Sequence, residues 1–78
     1  MIRVLYFAAL RDAAGCAEES VAADGGNLGE LWSLLSGRHG FPLARERVRV
    51  ARNGEFAAWG DAVHAGDEVA FLPPVSGG

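Results

Sequence analysis

The chain has 78 residues, half of them hydrophobic and 22% charged, and its formal net charge is −3 at pH 7. This length and composition predict one folded domain and exclude a disordered chain. All 7 cationic residues are arginines, and the chain lacks the clustered positive charge that nucleic-acid binding requires. We therefore expect no nucleic-acid partner.

The cysteine content and the apolar segments predict a cytoplasmic protein. Cys16 is the single cysteine, so the chain has no internal disulfide, as is typical of small domains in a reducing compartment. Neither His39 nor His64 lies in a context that would activate Cys16, whose role the sequence leaves open. The apolar run at residues 4–10 is too short to span a bilayer, and we expect no membrane partner.

The first third of the chain predicts a strand, a short helix and a weaker strand. Residues 2–8 are apolar on both alternating faces, as in a strand at the centre of a sheet. Residues 9–14 are rich in alanine and precede Gly15, which predicts a short helical turn with a glycine C-cap. Residues 18–22 predict the second strand.

The main helix is predicted to start after Asn27. Asn27 and Glu30 have the spacing of a capping box, in which each side chain accepts from the other residue's backbone N–H. The apolar residues of the predicted stripe are Leu28, Leu31, Trp32 and Leu35. We expect this helix to close at Gly37, and the sequence does not define the structure of residues 38–46.

The second half of the chain predicts a hairpin and a final strand. Residues 48–52 and 55–57 flank Asn53-Gly54, a pair that favours a type I′ turn because both central positions take positive φ. Residues 68–72 form the last predicted strand, which Pro73 stops.

One main helix and four or five short strands predict an α+β fold, with a mixed sheet packed on one face against the helix. The first and last strands are apolar on both faces, so we expect them side by side at the centre of the sheet. This arrangement is the β-grasp, or ubiquitin-like, fold with one or two short helical turns.

Strand alternation assigns the apolar residues to two faces of the sheet. The residues predicted to face the helix are Ile2, Val4, Tyr6, Val69 and Phe71. Those predicted to face outward are Arg3, Leu5, Phe7, Ala70 and Leu72. Exposed Phe7 and Leu72, extended by Phe56, favour a protein partner, because each side chain left in water forgoes roughly 1.5–3 kcal/mol. The alternatives are reversed faces or a first helix that covers this side.

The printed sequence ends in Pro73-Pro74-Val75-Ser76-Gly77-Gly78, which predicts a flexible tail. The two prolines stop the sheet and stiffen the start of the tail. Glycines carry no side chain, so Gly77-Gly78 fits a channel too narrow for other residues and favours a terminal carboxylate presented to a partner. A frayed terminus is the alternative.

Two segments resemble a known family, the MoaD-type sulfur carriers, which are the small subunits of molybdopterin synthase. Residues 66–78, with the sequence GDEVAFLPPVSGG, are similar to the signature ending of that family. Residues 2–8 and the following Leu10-Arg11 resemble its first strand and helix, and Asn53 stands where its hairpin asparagine is expected. The resemblance spans nearly the whole chain, although Arg52 replaces an apolar strand residue of the family.

The resemblance implies a carrier whose Gly78 is adenylated by an ATP-dependent activating enzyme and then converted to a thiocarboxylate. It also implies docking on the large subunit of a heterotetrameric molybdopterin synthase, where the sulfur passes to cyclic pyranopterin monophosphate to build the dithiolene of the molybdenum cofactor. The tail residues implied to thread the partner's channel are Pro73, Pro74, Val75, Ser76 and Gly77. The implied partner contacts are Phe7, Arg11, Phe56 and Leu72.

The sequence itself contains no motif for the activation step. Residues 25–29 are rich in glycine but lack the lysine of a phosphate-binding loop, so we expect ATP to be bound by the activating enzyme and no cofactor by this chain. Asp61, His64 and Asp67 lack zinc-like spacing, and we expect no metal site. The acid, base and electrophile-stabilising groups are expected on the partners, so the chain's standing as an enzyme is open.

Two other function classes remain open from the sequence. A related ubiquitin-like carrier would serve thiamine synthesis, tRNA thiolation or another sulfur pathway through a different acceptor. A non-catalytic β-grasp interaction module, or a modifier that is conjugated to lysines, would use the same fold without a thiocarboxylate. The tail from Pro73 to Ser76 favours the molybdopterin carrier.

Overall fold

A five-stranded mixed sheet packs against one main helix in a computed structural model that describes residues 1–22 and 26–74. In chain order, the elements are β1 (Ile2–Tyr6), α1 (Ala8–Ala14), β2 (Glu18–Val21), α2 (Leu28–His39), a 3₁₀ turn (Arg45–Arg47), β3 (Arg49–Arg52), β4 (Glu55–Ala57) and β5 (Glu68–Leu72). Within the described residues, no helix has the length and apolar composition needed to cross a membrane.

The strands lie in the order β2-β1-β5-β3-β4. β1 and β5 are parallel neighbours, with Val4 opposite Val69, and each is flanked by an antiparallel strand. The first and last strands therefore occupy the centre of the sheet, which confirms the predicted β-grasp arrangement and the α+β class. Because β1 and β5 are parallel, their carboxyl ends lie at the same edge of the sheet.

The two faces of the sheet are those that strand alternation predicted. All five residues assigned to the helix face are buried: Ile2, Val4, Tyr6, Val69 and Phe71. They pack with the apolar stripe of α2, which consists of Leu28, Leu31, Trp32 and Leu35. The residues assigned to the outward face are exposed or half-buried: Arg3, Leu5, Phe7, Ala70 and Leu72. The alternative of reversed faces is therefore excluded.

The start of α2 is held by the predicted capping box. The Asn27 side chain accepts the Glu30 N–H at 2.8 Å, and the Glu30 carboxylate accepts the Asn27 N–H at 3.0 Å. Two further N–H groups at this end, those of Leu28 and Gly29, donate to carbonyls of the loop before β5. These bonds satisfy four of the backbone donors that a helix start leaves without partners.

The end of α2 differs from the prediction, because the helix continues through Gly37 to His39. Gly40, with φ of 66°, supplies the left-handed cap and donates its N–H to Ser36 at 2.8 Å. The His39 ring packs edge-on to Tyr6, with their centroids 5.7 Å apart. This tertiary contact holds a last turn that the helix-weakening Gly37 alone would not favour.

A half-buried polar cluster joins β2 to this last turn. The Tyr6 hydroxyl donates to Glu19, and His39 Nε2 lies 2.6 Å from the same oxygen. Burial opposes ionisation of Glu19, but hydrogen bonds from Tyr6 and His39 outweigh it, so the pKa of this carboxyl is below its ordinary value. Burial and the adjoining carboxylate together raise the pKa of Tyr6.

The hairpin turn has the predicted type I′ character, since φ is 53° at Asn53 and 85° at Gly54. Arg52, which departs from the family pattern, is half-buried, and its guanidinium donates to the Ala62 carbonyl. The arginine thus replaces apolar packing with a hydrogen bond to the loop before β5.

Three strand boundaries also differ from the prediction. The first strand stops at Tyr6 rather than residue 8, because Phe7 is the N-cap of α1 and Ala8 is already in the helix. Residues 22 and 48 likewise lie just outside β2 and β3.

Candidate functional site

An apolar groove of about 600 Å³ opens where the chain leaves β5. Its lining consists of Phe7, Ala8, Ala9, Leu43, Arg47, Leu72, Pro73 and Pro74. Seven of these eight side chains are apolar, and the eighth is a cation. A concave apolar wall with one charged group at its margin fits a protein partner's apolar side chain better than a polar metabolite.

The change from β1 to α1 places Phe7 on this groove. Phe7 has extended backbone, and its carbonyl accepts N–H groups from Leu10 at 3.1 Å and Arg11 at 3.4 Å. Leu10 is fully buried and anchors the short helix in the core, whereas the Phe7 side chain is 44% exposed. Since α1 does not cover Phe7, the alternative in which the first helix shields this face is excluded.

Ala8 has φ of 51°, in the left-handed region that alanine rarely adopts. A left-handed alanine costs roughly 1–2 kcal/mol, and such strain persists where the surrounding structure enforces it. Here it reverses the chain sharply between β1 and α1, at the wall of the groove. The left-handed residue thus sets the direction in which α1 leaves the end of β1.

Leu72 and the two prolines form the wall opposite α1. Leu72 is the last residue of β5, is half-buried and lies opposite Arg49 of β3. Pro73 has no N–H to continue the ladder, so the chain separates from the sheet at this point. Pro73 and Pro74 then line the groove.

A continuous apolar row crosses the outward face next to the groove. In this row, Leu5 lies opposite Ala70, Ala70 opposite Ala51, and Ala51 opposite Phe56. Phe56 is 65% exposed, and the Arg49 guanidinium lies 4.5 Å from its ring centroid. We call the six residues Leu5, Phe7, Ala51, Phe56, Ala70 and Leu72 the apolar patch.

The four predicted partner contacts are thus placed in different ways. Phe7 and Leu72 share the groove, and Phe56 ends the apolar row at the edge strand β4. Arg11 is exposed on α1 and is not part of the groove lining. Of the predicted tail, residues 73 and 74 are on the groove, and Val75, Ser76, Gly77 and Gly78 lie outside the described residues.

The structure adds four groove residues that sequence reasoning missed: Ala8, Ala9, Leu43 and Arg47. Leu43 lies in the segment 38–46, whose structure the sequence does not define, and Arg47 directly follows that segment. Leu43 is one of two large apolar residues in the connector, with Phe41, which was the available signal for partial burial. Arg47 belongs to the 3₁₀ turn, and no local pattern distinguishes it from its neighbour Arg45.

The candidate metal ligands instead stabilise turns. The Asp67 carboxylate accepts the Asn53 side-chain amide at 3.0 Å and the His64 N–H at 2.8 Å. These hydrogen bonds lower the pKa of Asp67, and the one from Asn53 contributes most. Asp61 accepts the Ala58 N–H at 3.0 Å. In residues 1–22 and 26–74, no three His, Cys, Asp or Glu side chains come together as metal ligands would.

Comparisons with known proteins agree with this architecture. The chain is 40% identical to small archaeal modifier protein 1 of Haloferax volcanii over 82 residues, which cover 92% of this chain and 94% of that protein. The crystal structure of that protein superposes with a TM-score of 0.80 and 38% identity, covering 99% of this chain and 98% of the other.

Two further relatives extend the comparison over the full length of this chain. The molybdopterin synthase sulfur carrier subunit of Escherichia coli is 36% identical over 81 residues, covering all of both proteins. A chain in the crystal structure of the Amycolatopsis orientalis BexX/CysO complex is 27% identical, with a TM-score of 0.71 and complete coverage of both chains.

The model of the ThiS family matches residues 4–78. This match runs from the middle of β1 through β5, and the E. coli relative confirms the resemblance to MoaD-type small subunits that the sequence predicted. The chain therefore belongs to the ThiS family.

Proposed function

We propose that this protein is the sulfur carrier subunit of a molybdopterin synthase. The observation that carries the proposal is the position of the apolar patch, directly beside the point where the chain leaves β5. A partner that covers Phe7 and Leu72 also receives whatever follows Pro74. The match to the E. coli carrier subunit over its full length supports the same activity.

The length of the tail makes this proximity necessary. Residues 75–78 span at most about 14 Å when fully extended. The reacting group on Gly78 therefore has to enter a site on the partner within this distance of the groove. Docking on the apolar patch would fix the carrier close enough for a narrow channel to accept the side-chain-free Gly77 and Gly78.

The proposed chemistry takes place at the Gly78 carboxylate. In the activating enzyme, a carboxylate oxygen attacks the α-phosphorus of ATP and releases pyrophosphate. A sulfide-level sulfur then attacks the acyl carbon and displaces AMP, which leaves the thiocarboxylate. In the large subunit, this sulfur attacks an oxygen-bearing carbon of cyclic pyranopterin monophosphate and displaces that oxygen, which leaves with a proton. Water then cleaves the acyl–sulfur bond, which restores the carboxylate and leaves the sulfur on the pterin.

The residues that line the groove indicate which catalytic groups the partners have to supply. The groove offers apolar side chains and one arginine, and none of them is a general base in the usual pH range. We therefore propose that the acid, base and ATP-binding groups belong to the two partners and that this chain needs no cofactor of its own. Because ATP and the pterin precursor are cytoplasmic metabolites, we place the reaction in the cytoplasm.

A second candidate function rests on the similarity to small archaeal modifier protein 1. That relative has the higher identity, 40% against 36%. A modifier or a carrier for another pathway would use the same patch and tail but a different acceptor. Identity in this range does not separate the two candidates, since they share the fold and the site.

A mass measurement followed by an acceptor assay separates the candidates. The protein is incubated with the activating enzyme, ATP and a sulfide donor, with a variant lacking Gly78 as the control. A mass gain equal to the exchange of oxygen for sulfur, in the full-length chain only, supports a carrier, whereas lysine-linked adducts support a modifier. If the thiocarboxylated protein yields no dithiolene with the large subunit and the pterin precursor, the molybdopterin proposal fails.

A further inference from the structure

Two arginines border the apolar patch. Arg47, in the 3₁₀ turn, lines the groove together with Leu72. Arg49 lies opposite Leu72 across the sheet, and its guanidinium lies over the Phe56 ring. The cation–π contact orients Arg49 over the outward face rather than away from it.

In the part of the chain that the structure describes, the two arginines lack the carboxylate partner that Arg3 and Arg38 have, as do Arg11, Arg45 and Arg52. Within the described residues, the ion pairs join Arg3, Arg38 and His39 to glutamates, and neither Arg47 nor Arg49 lies within 4.0 Å of a carboxylate. At the far end of the outward face, Arg3 is neutralised by Glu18 and Glu68. The charges of the outward face are therefore neutralised at the end that holds Arg3, whereas the end at the groove is cationic.

This charge distribution is local, since the whole chain carries a net charge of −3. Glu46 lies between the arginines of the 3₁₀ turn and is exposed, but it forms no ion pair within the described residues. Arg45, in the same turn, lies 5.7 Å from the Trp59 ring centroid and contacts the start of α2. Arg45 and Arg47 therefore serve different surfaces although they are two residues apart.

An exposed guanidinium beside an aromatic patch matches the composition of protein interfaces, where aromatic residues and arginine are enriched. The guanidinium fork pairs best with a carboxylate in a bidentate geometry. Arg47 stands alone in an apolar groove, so the groove offers one cation where a phosphate ligand would require several donors. The surface is thus better suited to a protein than to a small anion.

We propose that the partner surface that covers the apolar patch carries Asp or Glu side chains opposite Arg47 and Arg49, and that these pairs select the partner and speed its association. The inference rests on the proposed function, because it requires that the patch docks on a protein. Charge pairs at the rim of an interface act mainly on the association rate and on specificity, whereas the apolar centre provides most of the affinity.

The test measures association rate and Kd with the purified synthase large subunit at several salt concentrations. The variants are Arg47→Glu and Arg49→Glu, with Arg45→Glu as the matched control, because it changes the net charge equally from the same turn. We expect the first two to weaken binding about tenfold at low salt, mainly through slower association, and to lose most of the salt dependence of the wild type. Arg45→Glu should bind within about twofold of the wild type, and thermal melts verify that each variant is folded.

Equal effects of all three charge reversals would overturn the inference, because only the net charge would then matter. Tighter binding by Arg47→Glu would also overturn it, since this would mean that Arg47 holds the chain's own terminal carboxylate. Phe7→Asp separates this inference from the proposed function. If Phe7→Asp abolishes binding while the arginine variants bind normally, the inference fails and the proposed function stands. If the wild type does not bind the large subunit, both fail.

Discussion

Phe7→Asp should abolish docking while leaving the fold almost as stable as the wild type. Phe7 is 44% exposed, so about half of its side chain is buried, and loss of that half costs roughly 1 kcal/mol of folding free energy. Phe7 is also the N-cap of α1 and makes no side-chain cap hydrogen bond. Aspartate is among the best N-cap residues, and a cap contributes about 1 kcal/mol, which offsets the loss.

The effect on binding has no such compensation. An aromatic side chain in the groove of an interface contributes 2 kcal/mol or more, and a carboxylate placed in an apolar contact adds a desolvation cost. We therefore expect Kd for the large subunit to rise by at least about 30-fold, using roughly 1.4 kcal/mol per tenfold. Calorimetry gives the Kd, and urea unfolding gives the free energy of unfolding on the same samples.

Two control substitutions separate charge from shape. Phe7→Asn retains the capping oxygen without the charge, and Phe7→Leu retains an apolar side chain of smaller size. We expect Asn to weaken binding nearly as much as Asp, and Leu much less. If Phe7→Asp reduced the free energy of unfolding as much as the free energy of binding, the reasoning would be refuted. The ring would then stabilise the core rather than contact a partner.

Three further predictions concern the tail, the polar cluster and the start of α2. Deletion of Gly78 should leave the melting temperature unchanged and abolish thiocarboxylate formation, and a large drop in melting temperature would mean that the tail stabilises the fold. Glu19→Gln should lower the free energy of unfolding near neutral pH. Because the folded pKa of Glu19 is below its ordinary value of 4.5, the difference from the wild type should shrink as the pH falls below that value. A difference in urea unfolding that is constant with pH would contradict this. Gly29→Ala places a Cβ 2.7 Å from Arg45 Nη1 and 3.3 Å from the capping oxygen Asn27 Oδ1, so unfolding experiments should show less than the helix propensity gain of about 1 kcal/mol, and Arg45→Ala should restore only the part that displacement of the arginine costs. If Gly29→Ala raised the free energy of unfolding equally with and without Arg45→Ala, the Arg45 side chain would move aside at no cost.

The sequence was most informative for features that are determined by a few adjacent residues. The Asn27 capping box and the Asn53-Gly54 turn depend on the backbone of a few adjacent residues, so their signals are complete within the sequence. The two faces of β1 and β5 were predictable because a period of two leaves only two possible assignments. The exposure of Phe7 followed from the same alternation.

Other features depend on distant residues and could not be predicted. The sequence predicts the end of the main helix at Gly37 because glycine favours a C-cap, but the helix continues two residues further, to His39, which packs on Tyr6. The placement of Arg47 on the groove depends on how the segment after α2 crosses the end of β5. Such a crossing leaves no periodic pattern in the sequence.

The central claim is that this chain carries sulfur on its terminal glycine to a partner that holds the apolar patch. The most direct test uses protein with labelled sulfur in the Gly78 thiocarboxylate, mixed with an excess of large subunit and pterin precursor in a single turnover. We expect the label to move to the pterin product while the mass of the carrier returns to that of the free carboxylate. Label that stays on the carrier, or that leaves it without reaching the pterin, would contradict the account.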